Sequence, residues 1–100
     1  MIKHIVMWKL QEFAEGKSKE ENAKVIKEGL ESLINKIDTL KAIEVGININ
    51  ETAQAFDIVL YSEFDTVEGL DVYQNHPEHL KVAGFVRSVV SERVVADYEV

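Results

Sequence analysis

Three histidines stand in this chain of 100 residues, and two of them flank its single proline in Tyr73-Gln74-Asn75-His76-Pro77-Glu78-His79. Histidine is the side chain that exchanges a proton near neutral pH, so this cluster is where acid–base chemistry is sought first. If Pro77 opens a helix, His79 lies in its first turn, where the positive end of the helix dipole disfavours imidazolium and favours the neutral ring a general base requires. Tyr73, six residues earlier, can offer a phenol to a carbonyl that is becoming an enolate. His4, near the start of the chain, would orient the substrate. The competing reading gives the same residues structural work. Tyr73 then packs in the core with its hydroxyl bonded to His79, His76 caps the helix at Pro77, and His4 is a buried polar residue whose ring nitrogen needs a partner. His76 and His79 have a spacing that can share a metal, but Glu78 projects from another side of the helix, so no metal site is expected.

These residues need a scaffold, and the composition allows an ordinary one. The chain is 46% hydrophobic and 29% charged with five glycines, which excludes disordered and collagen-like classes. The absence of Cys excludes a disulfide framework and thiolate chemistry. Eleven basic against 18 acidic residues leave a net charge of −7. No Lys or Arg falls between Lys41 and Lys81, whereas Glu44, Glu51, Asp57, Glu63, Asp65, Glu68, Asp71 and Glu78 do. Such a surface repels phosphate backbones and anionic lipid, so neither nucleic acid nor a membrane is expected as a partner. The first ten residues are too short and too charged for a signal peptide or a membrane span, and a cytoplasmic location is expected. No phosphate loop, dinucleotide fingerprint or Ser-His-Asp order occurs, and no cofactor is expected.

Hydropathy patterning supplies the elements. Ile2, His4, Val6, Trp8 and Leu10 alternate with Lys3, Ile5, Met7 and Lys9, which predicts a strand. Ser18-Lys19-Glu20-Glu21 has the capping-box form at a helix start. Ile26, Leu30, Leu33, Ile37 and Leu40 then mark one stripe of a helix about 20 residues long. Gly29 within it suggests close approach of the backbone to a sheet. Alternation over 42–50 and again over 56–64 predicts an antiparallel hairpin. Asp65 and Thr66 are N-cap types for a short helix that runs to about Gln74. From Pro77, Leu80, Ala83, Val86 and Val90 form one stripe and Val82, Phe85 and Val89 another, so this helix is expected to be buried on more than one side. The Val-rich segment 91–100 suits a last strand.

The order β-α-β-β-α-β predicts an α+β, ferredoxin-like domain with a four-stranded antiparallel sheet and helices on one face. The other face would carry Ile5, Met7, Val59 and Tyr61 with nothing in the chain to cover them. A second sheet is the expected cover, which makes the protein a homodimer. Lys3 and Lys9 on that face are placed to meet Asp57 or Glu63 of either chain.

Lys3-His4-Ile5-Val6, the segment from Asp71 to Leu80 and Val95-Ala96-Asp97-Tyr98-Glu99 together resemble the stress-responsive dimeric α/β barrel domain family over nearly the whole chain. The resemblance implies a single domain over residues 1–100, with two ferredoxin-like sheets packed face to face into a barrel. One plant member of that family closes a linear polyketide by aldol condensation, and its catalytic His and Tyr are similar to His79 and Tyr73 here, with a first-strand His similar to His4. The first-helix aromatics of that enzyme's pocket have no counterpart among Ala23, Val25 and Ile26, and Val82 stands where it has a Phe.

Two functions are therefore expected, one the alternative to the other. In the first, the protein is a stress-associated dimer that binds a small apolar ligand or acts as a stabilising module. In the second, it is a cofactor-free cyclase or lyase acting on a β-carbonyl substrate through His79, Tyr73 and His4. In either case the expected pocket wall is Val6, Trp8, Leu60 and His76. An open pocket lined by His4, Tyr73 and His79 would favour the enzyme, and a filled core the module.

Overall fold

A computed structural model describes residues 1–100. The strands are β1 (Ile2–Leu10), β2 (Phe13–Ala14), β3 (Lys17–Ser18), β4 (Ala42–Ile47), β5 (Ile58–Phe64) and β6 (Val90–Glu99). The helices are α1 (Lys19–Glu31), α2 (Val67–Asn75) and α3 (Pro77–Val89). The main sheet is antiparallel in the order β4-β5-β1-β6, with β1 at its centre, and β2 and β3 form a small separate hairpin. That hairpin falls between Leu10 and the Ser18 capping box, where the hydropathy pattern predicts no element. Glu15 and Gly16 turn it with φ of 52° and 74°, a pair of left-handed residues that matches the twist of two antiparallel strands.

Local chemistry sets the boundaries. Ser18 accepts from the Glu21 N–H while the Glu21 carboxylate accepts from the Ser18 N–H, completing the capping box at α1. Such a cap contributes about 1 kcal/mol. The helix is shorter than the apolar stripe implies. It ends at Glu31, where the Ser32 hydroxyl bonds back to the Gly29 carbonyl, and a 3₁₀ turn over Ser32–Asn35 follows. Leu33, Ile37 and Leu40 are buried all the same, the last two from irregular chain. Gly29 does allow close approach, but to α3 and not to the sheet: a Cβ there would lie 3.3 Å from Val82 Cγ1. Glu31 ties the end of α1 to the edge strand, accepting from the Val45 N–H at 3.0 Å and from Lys27 Nζ at 2.9 Å. The Lys27 bond, and then the Val45 bond, hold its carboxyl below the usual carboxylate range.

Thr66, and not Asp65, caps α2 through the Gly69 N–H. His76 closes α2 and opens α3, and Pro77 follows as the first residue of the new helix, where its missing N–H costs nothing. One face of the sheet packs on the helices, with Ile2, Val6, Trp8 and Leu10 of β1 meeting Ile58, Leu60 and Phe64 of β5, Ala23, Ile26 and Leu30 of α1, and Val86 and Val89 of α3. Val82 and Phe85 are half-buried against this core, while Leu80 stays half-exposed on the outside of α3. The other face is open. On it Ile5 sits between Tyr61 and Ala96, and Met7 between Val59 and Val94. Lys3 lies over the Tyr61 ring at 5.4 Å and stands directly opposite Glu63 on β5, one of the charges that raise its pKa, whereas Lys9 pairs with Glu92 at 3.6 Å. Asp57 instead accepts from the Leu10 N–H at 2.7 Å and pairs with Lys19 at 3.6 Å. No helix of the protein is long and apolar enough to cross a membrane.

Candidate functional site

A cavity of about 230 Å³ opens between the helices and the sheet. Its floor is His4, Val6 and Trp8 of β1 with Leu60 of β5, positions that the period of two places on one face. Leu30 of α1 forms one wall, and α3 forms the other with His79, Ala83 and Val86. Val90, Arg87 and Arg93 complete the rim. The stripe that made α3 look buried on several sides is thus partly the wall of an open space. Of the expected pocket residues, Val6, Trp8 and Leu60 line the cavity, and His76 does not. The His76 Nδ1 accepts the Glu78 N–H at 3.1 Å, the helix-capping role, which turns its ring to the helix start.

The structure brings His4 and His79 to one space by different means. His4 is buried, and its Nδ1 donates to the carboxylate of Asp97, directly opposite it on β6. Its backbone carbonyl also accepts from the Ser62 hydroxyl at 3.0 Å, which fixes the residue in the sheet. His79 is half-buried, and its Nδ1 lies 3.1 Å from the Gln74 carbonyl oxygen. A carbonyl only accepts, so Nδ1 carries the hydrogen and Nε2 keeps the lone pair. Burial is the main reason that the His79 pKa lies below its ordinary 6.5, with His4, Arg87 and Arg93 acting in the same direction. A neutral ring results at pH 7, as expected from the sequence, although burial and not the helix dipole is its chief cause.

Tyr73 is the residue placed differently from both readings. It is fully buried, with its ring 5.1 Å from Phe64, 4.5 Å from His79 and 6.4 Å from His4 between centroids. It packs in the core, yet its hydroxyl is not bonded to His79 and has no hydrogen-bond partner. It stands behind the cavity wall and is not part of the lining. Burial raises its pKa, so the phenol stays protonated at any ordinary pH. The Nδ1 atoms of His76 and His79 are both engaged with backbone groups, and no three His, Asp or Glu side chains cluster around them.

Sequence reasoning gave no role to Asp97, Arg87 or Arg93. Asp97 lay in a segment singled out only for its resemblance, and its pairing with His4 follows from a register that one strand does not reveal. The two arginines carried a plainer signal, since they are the only arginines in the chain.

Comparison with known proteins places this geometry. The stress-responsive A/B barrel domain family matches residues 2–100. A stress-response A/B barrel domain-containing protein of Arabidopsis thaliana is 29% identical over 100 residues, spanning 98% of this chain and 88% of its own. A dimeric protein of unknown function with a ferredoxin-like fold from Bacteroides fragilis superposes with a TM-score of 0.84 at 35% identity, over 99% of this chain and 95% of that one. The hydroxynitrile lyase of Passiflora edulis shares the fold with a TM-score of 0.80 at 20% identity, over 97% of this chain and 90% of that one. With its four-stranded sheet, its helices on one face and a family match that runs almost from end to end, the chain belongs to the stress-responsive A/B barrel domain family.

Proposed function

We propose that the protein is a homodimer that binds a small, largely apolar ligand in the cavity between His4 and His79. The single observation that carries this reading is the cavity itself: a space of about 230 Å³, mostly apolar, into which two histidines are set. Apolar cavities of about 150 Å³ accept a benzene-sized molecule, so a ring or short chain with one polar group matches this one. The dimer is supported by the dimeric Bacteroides fragilis protein and by the uncovered face that carries Ile5, Met7, Val59 and Tyr61. A reducing location such as the cytoplasm accords with the absence of Cys.

A thermal-shift screen of small apolar compounds tests the reading, because a ligand of the folded state stabilises it by about 2.7 kcal/mol at a hundredfold excess over Kd. The expected result is a set of compounds that raise Tm for the native protein and not for Ala83→Leu, whose longer side chain fills the cavity. Binders that stabilise both proteins equally, or a complete absence of binders, would contradict it.

A second reading, cofactor-free proton abstraction from a β-carbonyl compound, is favoured by the tautomer of His79. Its free Nε2 is a base held in place by Gln74, and His4 is held by Asp97 in the same cavity, the pattern of an oriented acid–base pair. In that reaction His79 Nε2 takes a proton next to the carbonyl and His4 positions the substrate. Tyr73 stabilises the enolate only where its hydroxyl gains access to the cavity.

A further inference from the structure

The only two arginines of the chain, Arg87 at the end of α3 and Arg93 on β6, both line the same cavity. Both are exposed, and neither is ion-paired, since every ion pair in the protein uses a lysine or His4. This occurs in a chain with 18 acidic residues and a net charge of −7, where carboxylates to pair with are abundant. None of those carboxylates lines the cavity, and Asp97, opposite the lining residue His4, is engaged by it. Both guanidinium charges are close enough to His79 to lower its pKa. A local positive rim on an apolar cavity, in an otherwise acidic protein, selects a ligand with an apolar body and one anionic end. The guanidinium fork matches the plane of a carboxylate, which it can hold through two parallel bonds.

Resting on the cavity-binding reading above, we infer that the ligand is a small monocarboxylate, its apolar part seated on Val6, Trp8 and Leu60 and its carboxylate held by Arg87 and Arg93. Trp8 is the only tryptophan and lines the cavity, so its fluorescence reports binding directly. Phenylacetate and its neutral counterpart phenylacetamide are the probes, titrated against the full chain and against Arg87→Gln and Arg93→Gln. Because both arginines are exposed, these variants are expected to keep the native Tm. The expected result is a preference for phenylacetate of at least about tenfold, the scale of a charge-assisted hydrogen bond, which falls toward equality in each variant while phenylacetamide binding is unchanged. Equal affinity for the two probes, or a preference that survives both substitutions, would overturn the carboxylate assignment and leave the cavity reading standing. If neither probe perturbs Trp8 at millimolar concentration, while Ala83→Leu also leaves the screen described above unchanged, the cavity reading falls and the assignment with it.

Discussion

Ile5→Glu is expected to weaken dimer association by at least about a hundredfold, because it places an unpaired charge at the centre of the face on which two sheets would meet. Ile5 lies on the central strand, between Tyr61 and Ala96 on its neighbours, and points away from the helices. The substitution therefore leaves the core of each protomer intact. Sedimentation at micromolar concentration is the measurement. The native protein is expected at twice the chain mass of 11.3 kDa, and the variant at the chain mass or unfolded, the latter if the protomer depends on its partner for stability. A variant that stays dimeric with an unchanged Tm would show that the interface lies elsewhere. Met7 provides the comparison: it is 39% exposed on the same face, next to Val59 and Val94, and Met7→Glu is expected to act in the same way.

Tyr73→Phe is expected to stabilise the protein, an unusual outcome for a change at a fully buried residue. The ring packs against Phe64 and His79, and phenylalanine keeps that packing. What the change removes is a hydroxyl buried without a partner, and such a group costs about 1–3 kcal/mol. For a domain of this size, each kcal/mol recovered raises Tm by about 4–8 °C. Thermal unfolding of the variant in buffer without ligand reads the effect. A Tm that falls by several degrees would mean that the hydroxyl has a partner in solution. A stabilised Tyr73→Phe that also binds ligand or substrate less well would identify the unpartnered hydroxyl as a group held ready for function at a cost in stability.

Much of the scaffold was legible because it is written in local patterns. The period-two alternation of β1, the Ser18–Glu21 box and the Pro77 break each depend on neighbours in the chain, and each is where the pattern put it. The length of α1 was not legible. The apolar spacing continues to Leu40 because those residues still face the core, but Ser32 and the 3₁₀ turn change the backbone that carries them. A hydropathy stripe reports which side is buried and not which hydrogen bonds continue. The site was legible in part for a similar reason. His4 and His79 could be chosen by residue type, and their shared cavity follows from the fold. The Asp97 partner, the Gln74 carbonyl and the arginine rim depend on register and on a turn between helices, which only the assembled chain defines.

Nitrogen-15 NMR of the three histidines reads whether His79 presents a neutral imidazole, with its Nε2 lone pair, to the cavity. At pH 7 His79 is expected as the Nδ1–H tautomer, titrating only below its ordinary 6.5, with resonances that move when a cavity ligand is added. The linkage has a definite sign. Between 6.5 and the lower folded-state pKa the unfolded chain binds a proton that the folded chain does not, so the contribution of His79 to stability is complete above 6.5 and is lost as pH falls through that window. Removing the ring with His79→Gln is expected to flatten this part of the stability profile. An Nε2–H tautomer at pH 7, a His79 that titrates at or above 6.5, or a His79 resonance indifferent to every cavity ligand would show that the ring is not a neutral base facing the cavity.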